Sequence, residues 1–244
     1  WQSLLSLENI GVEDDFFDIG GHSIIGVRMM ARVSREFGVS MKVSDLLAYP
    51  TVRLMASKIE EIAATKNLAV SDSWDPVVTL QKGEVGKELF LVHPVGGDVL
   101  CYMELVKSMG LRYTVYGLQA KGLCGQQTAF TSVSEMVESY AEGIMRVQKN
   151  GPYRLGGQSL GGVICLELAN ALKQRGEKVE FIAMIDSFTP TVMAANRRDE
   201  TDFFQTASIS HENSLNIVHI RRNSTLIFTI FEACGGLLQM IQTK

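Results

Sequence analysis

The chain has 244 residues, 46% of them hydrophobic and 20% charged, with 22 Gly and 5 Pro. That is a globular balance, long enough for one large domain or two ordinary ones. A formal net charge of −4 gives no general attraction to nucleic acid or to anionic membrane. No run of eighteen uncharged apolar residues exists; Leu226 to Ile241 comes nearest, and Glu232, Gly235, Gly236 and Gln239 interrupt it. Cys101, Cys124, Cys165 and Cys234 are widely spaced, form no CxxC and have no histidine at ligand spacing. The pattern argues against a metal site or a dense disulfide framework and points to a reducing cytoplasm. The chain begins at Trp1 with no signal peptide, so the sequence reads as a piece of something longer.

Residues 1–64 read as short helices. Ile24, Val27, Met30, Val33 and Phe37 recur at three- or four-residue steps, predicting an amphipathic helix over 24–37 that stops at Gly38. A short turn follows around Val43 to Leu47. A second helix is expected over about 51–63, with Pro50 blocking helix before it, Thr51 as N-cap, and Leu54, Met55, Ile59 and Ile62 as its apolar face. Residues 65–74 are polar, small and aperiodic, the mark of a linker. From 75 onward, β-rich runs at 76–80, 88–92, 113–118, 153–157 and 180–185 alternate with helical stretches at about 98–109, 132–148 and 160–174. That alternation predicts a mostly parallel sheet covered on both faces.

The first chemical candidate is Ser23, in Asp18-Ile19-Gly20-Gly21-His22-Ser23-Ile24, at the head of a helix. A helix N-terminus favours negative charge through its unpaired N–H groups and its dipole, so a phosphodiester on Ser23 would be well placed there. With the paired Phe16-Phe17 ahead of it, this stretch resembles the peptidyl carrier domain of nonribosomal peptide synthetases, a small all-α four-helix bundle. The resemblance runs from Trp1 to about Ala63. It implies 4′-phosphopantetheine attached covalently to Ser23, a phosphopantetheinyl transferase as partner, and a tethered acyl or peptidyl substrate. It also implies condensation and adenylation domains upstream in the same synthetase.

The second candidate is Gly157-Gln158-Ser159-Leu160-Gly161, which follows a strand and opens a helix. A nucleophile elbow needs that context, because the tight turn exposes the serine oxygen and side chains at the flanking glycines would obstruct it. Val92-His93-Pro94-Val95-Gly96-Gly97 follows an earlier strand, where such a hydrolase places a loop that lends a backbone N–H to the oxyanion. His93 precedes the serine in the chain and reads as a structural loop residue. Asp186 ends the next strand, where a carboxylate can orient a histidine. From about Trp74 to Pro190 the chain resembles a type I thioesterase domain of α/β-hydrolase fold, the chain-release domain of such synthetases. The resemblance implies Ser159 as nucleophile, Asp186 as acid member, and the N–H groups of Val95 and Leu160 as the oxyanion hole.

The expected order is Ser, Asp, then His, and only His211 and His219 follow Asp186. Neither sits in a Gly-x-His setting. His219 lies in an alternating, strand-like run and His211 in what reads as a loop. The stretch after Asp186 is short for the remaining strands, a lid and a histidine loop. Residues 199–207 suit the start of a lid, whereas 208–244 do not look like the family, so the sheet is expected to be incomplete at that edge. Two functional expectations follow. In one, Ser23 carries a thioester that passes to Ser159 and leaves by hydrolysis or cyclisation. In the other, the carrier works and the thioesterase half, its tail truncated or replaced, lacks a base. A reductive release domain is disfavoured, because GxGxxG is absent from the strand-to-helix turn and Ser159 stands at its centre.

Overall fold

The computed structural model describes residues 1–39, 41, 45–64, 74–123, 127–187, 207–212 and 215–220. The expected linker (but for its last residue, Trp74), Val43, the lid-like stretch apart from Ala207, and the apolar segment after residue 220 lie outside them. The chain forms two compact units: Trp1–Asp75 with Ala120–Ala129, and Pro76–Gln119 with the chain from Phe130 onward.

Among the described residues the first unit holds four helices: α1 (Gln2–Leu5), α2 (Ser23–Phe37), α3 (Asp45–Ala48) and α4 (Val52–Ala64). Gly38 ends α2 in the left-handed region at φ 60°, a conformation that costs glycine nothing. Thr51 caps α4 as the sequence predicts, its hydroxyl accepting from the Leu54 N–H at 3.2 Å. Phe16, Met29, Met30, Met41, Leu46 and Met55 are the buried centre. The apolar stripe of α2 is offset from the expected one. Met29, Met30 and Val33 face inward, whereas Ile24 and Phe37 are 61% and 56% exposed. Leu54 is likewise exposed, because three- and four-residue spacing identifies a face without saying how wide it is.

The second unit is a seven-stranded sheet of order β1-β3-β2-β4-β5-β7-β6, with β1 (Val77–Gln81), β2 (Glu88–Val92), β3 (Thr114–Leu118), β4 (Tyr153–Gln158), β5 (Val179–Ile185), β6 (Ala207–Glu212) and β7 (Leu215–Ile220). The five inner strands are parallel; β1 and β6 pair antiparallel at the two edges. Near-continuous burial along β2 and β5 is what a sheet covered on both faces requires. Between the strands lie α5 (Met103–Ser108), α6 (Val133–Val147) and α7 (Leu160–Gln174), with α7 packed on β4 and β5. Ser132 caps α6 by accepting from the Glu135 N–H, and Val137, Tyr140, Ala141 and Ile144 are its buried face.

His211 lies in β6, opposite Asn216, and not in a loop. Its run, ASISHE, has one large apolar residue, so the alternation that marks a strand was not visible there. His219 lies in β7 opposite Met184, in the strand the sequence predicts. No described helix is long and apolar enough to cross a membrane.

Candidate active site

The parallel strands all deliver their chain ends to one edge of the sheet, where open α/β sheets bind ligands. Val92 stands opposite Gly157, and Gln158 opposite Ile185. The loop carrying Val95, the turn carrying Ser159 and the strand end carrying Asp186 therefore meet at that edge.

Ser159 sits between β4 and α7 at φ 53°, ψ −118°, a conformation that ordinary residues avoid. Such a residue costs of order 1–3 kcal/mol and persists only where its surroundings over-determine it. Here they do. The Ser159 N–H donates to the Ile185 carbonyl at 2.9 Å, and the Ser187 hydroxyl donates to the Ser159 carbonyl. Asp186, between those two partners, takes a left-handed φ of 46°, which turns the strand end so that both reach the same serine. The glycines of the elbow are required by contact. A Cβ on Gly157 would stand 2.3 Å from the Gly161 carbonyl carbon, and one on Gly161 would stand 2.4 Å from the Val92 carbonyl oxygen. Ser187 was missed from the sequence, although a small hydroxyl residue directly after the candidate acid was the available signal.

Leu160 is the first residue of α7, so its N–H is one of the unpaired donors at a helix start. Val95 lies on the loop after β2 with its side chain 82% exposed. The loop is held from beneath by His93, which is 2% exposed. Its Nδ1 lies 2.6 Å from the Pro94 carbonyl and its Nε2 lies 2.7 Å from the Tyr140 hydroxyl. A carbonyl only accepts, so Nδ1 carries the proton, while the Tyr140 hydroxyl at Nε2 also faces the Gln119 carbonyl at 3.2 Å. Burial lowers the His93 pKa and outweighs the Pro94 carbonyl and the Asp98 charge. His93 is thus a structural histidine, as its place in the chain implies.

That depression fixes the sign of a pH effect. The unfolded chain takes up its proton at a pKa of about 6.5, above the folded value. The stability His93 provides is therefore full above pH 6.5 and is lost as pH falls through the window below it. In urea unfolding, the stability difference between the parent and His93→Gln should shrink from pH 7 to pH 5. A difference that stays constant would contradict the buried neutral ring.

At the other candidate, Ser23 is the first residue of α2 and follows His22 in extended conformation at φ −137°. The helix start has no acidic residue in its first turn and no side-chain cap from His22. The loop before it is held by contact, since a Cβ on Gly21 would lie 2.3 Å from the Phe16 carbonyl oxygen. Phe16 is itself fixed, its N–H donating to the Pro50 carbonyl at 2.8 Å. A 15-residue helix whose start has no side-chain cap suits a phosphodiester on Ser23. Among the described residues no group of three or more His, Cys, Asp or Glu is placed to hold a metal ion.

The chain thus joins a helical unit with a serine at a helix start to a mostly parallel sheet with a second serine at a strained strand-to-helix turn. The family model for the thioesterase domain matches residues 87–233, and that for the phosphopantetheine attachment site matches residues 1–59. The chain belongs to the thioesterase domain family and carries a phosphopantetheine attachment site ahead of that domain; 4′-phosphopantetheine is the covalent cofactor of such a site. Malpibaldin synthetase of Mortierella alpina is 37% identical over 203 residues, covering 83% of this chain and 4% of the relative. The dimodular nonribosomal peptide synthase of Bacillus subtilis (strain 168) is 34% identical over 188 residues, covering 77% and 8%. A four-domain nonribosomal peptide synthetase, solved in holo form with AMP and glycine, is 32% identical and covers 78% of this chain and 14% of its own, with a TM-score of 0.48. The chain therefore spans a small fraction of the synthetases it matches.

Proposed function

We propose that this chain is the carrier and chain-release portion of a nonribosomal peptide synthetase. The observation that carries the reading is Ser159, held at positive φ where β4 turns into α7, with Asp186 one residue past the strand end beside it. Ser23 would hold phosphopantetheine, which would supply the thiol to which an acyl or peptidyl chain is tethered. Ser159 Oγ attacks the thioester carbonyl, the carbon–sulfur bond breaks, and the acyl group remains on Oγ as an ester. The serine proton passes through a base to the departing thiol. The N–H groups of Val95 and Leu160 receive the charge that develops on the carbonyl oxygen. Water or a nucleophile within the chain then releases an acid, a lactone or a lactam.

Asp186 orients the base. His211 and His219 follow it in the chain and both lie within strands, opposite Asn216 and Met184. That placement supports a second reading, a working carrier joined to a thioesterase half without its histidine. In either case the partners are a phosphopantetheinyl transferase for Ser23 and condensation and adenylation domains of the same synthetase, in a cytoplasmic setting.

Intact-protein mass spectrometry separates the readings. The chain is loaded with an acyl-phosphopantetheine group by a promiscuous transferase, and its mass is followed over time beside Ser23→Ala and Ser159→Ala. The expected result is loading that Ser23→Ala abolishes, then acyl loss in the parent that Ser159→Ala abolishes. Retention in both the parent and Ser159→Ala would select the second reading. Loading that survives Ser23→Ala would overturn the carrier assignment.

A further inference from the structure

One buried oxygen joins the two strand ends on which the proposed chemistry depends. Tyr102 closes the short 3-10 helix Leu100–Tyr102 and is 2% exposed. Its hydroxyl donates to the Val92 carbonyl at 2.5 Å and accepts from the Gln158 N–H at 2.9 Å. Strands β2 and β4 run parallel and in register up to Val92 opposite Gly157. Backbone groups of successive residues in a strand point to opposite sides, and the His93 N–H donates to Leu118 of β3. The Val92 carbonyl therefore faces β4, and the next rung of a parallel ladder would run to it from the Gln158 N–H. The phenol oxygen occupies the place of that rung. It holds the two strands apart at the level where one continues into the Val95 loop and the other into Ser159.

We infer that Tyr102 is a positioning residue that sets the separation between the oxyanion loop and the nucleophile. Its effect on chemistry rests on the serine-thioesterase reading above; its place between the strands does not. Burial raises the phenol pKa well above its ordinary value, so the group keeps the proton it donates to Val92. The Asp98 carboxylate accepts the Leu100 N–H at 3.1 Å and so fixes the start of the turn that presents the tyrosine. The sequence hides this role, because Tyr102 in an apolar run reads as core and its two partners lie 10 and 56 residues away.

Two measurements on the whole chain test the inference. The first is the reaction of Ser159 with an alkyl fluorophosphonate, in which Oγ bonds to phosphorus and fluoride leaves, followed by mass spectrometry. Tyr102→Phe should lower the limiting labelling rate by roughly 10- to 100-fold, with the half-saturating concentration within about threefold of the parent, because misplacement by about an ångström costs that much. A tyrosine that served only as core filling would leave both unchanged. The second is amide exchange at Gln158, which should change at least tenfold relative to Leu155 as the N–H loses the phenol or closes onto Val92.

Unchanged exchange at Gln158 would overturn the inference, whatever the labelling shows. Should Tyr102→Phe not fold, para-aminophenylalanine at position 102 carries the exchange test: it keeps an atom between the strands but accepts poorly from Gln158. Labelling of the parent that is absent, or that survives Ser159→Ala, counts against the serine-thioesterase reading, and the exchange comparison alone then decides the place of Tyr102.

Discussion

Gly161→Ala is expected to abolish fluorophosphonate labelling of Ser159 on the timescale of the parent and to lower the thermal midpoint of the second unit. The new Cβ would stand 2.4 Å from the Val92 carbonyl oxygen and 2.8 Å from that of His93. Both contacts are to backbone of β2 and the loop after it, so no rotamer change relieves them. Relief requires α7 to lift from β2, and the start of α7 carries the Leu160 N–H. Overpacking of this kind costs about 3 kcal/mol. In a chain of this size that corresponds to roughly 6–12 °C in Tm. The labelling rate should fall about a hundredfold, because the shift lies between the proposed nucleophile and the proposed oxyanion donor. Gly156→Ala is the control. Its Cβ would meet the far end of the buried Leu91 side chain at 2.9 Å, a rotatable group and not backbone, and Ala183 at 3.5 Å. Its effect should stay within a few degrees and a few-fold in rate. Equal losses in the two variants would mean that the elbow is not sensitive to the β2–α7 contact.

The difference between those glycines bears on what the sequence could show. The five strands from β1 to β5 and the helices between them follow from local pattern, because each is a run whose burial alternates or persists over its own length. The elbow was legible for the same reason, since its glycines and serine are contiguous. The groups that hold the elbow were not. The Ser187 hydroxyl, the Tyr102 hydroxyl and the His93–Tyr140 pair each act across 10 to 56 residues of chain. Such pairs arise from strand order and not from any local period. The α2 stripe shows a smaller version of the same limit: its spacing gave the helix, whereas exposure of Ile24 and Phe37 depends on which neighbours cover them. β6 was missed because an edge strand with Ile209 as its one large apolar residue leaves too weak an alternation to read.

Within the attachment site, neighbouring glycines have opposite reasons for being glycine, and their variants should separate cleanly. Gly20 has φ 95° with open space where a Cβ would point. Gly20→Ala therefore meets only the left-handed backbone penalty of about 1–2 kcal/mol. Gly21 carries no such conformation, but its Cβ would lie 2.3 Å from the Phe16 carbonyl oxygen and 2.4 Å from two carbons of the Phe16 ring. Phe16 is fully buried, its N–H donates to Pro50, and its carbonyl accepts the Gly21 N–H at 2.8 Å. Gly21→Ala thus displaces both the centre of the helical unit and the loop that presents Ser23. The expected result is loss of transferase-catalysed loading of Ser23 by at least tenfold, together with weakened folding of the first unit. Gly20→Ala should load at nearly the parent rate at temperatures where it is folded. Loading of Gly21→Ala at the parent rate would show that the transferase does not depend on how Phe16 holds the loop ahead of the serine.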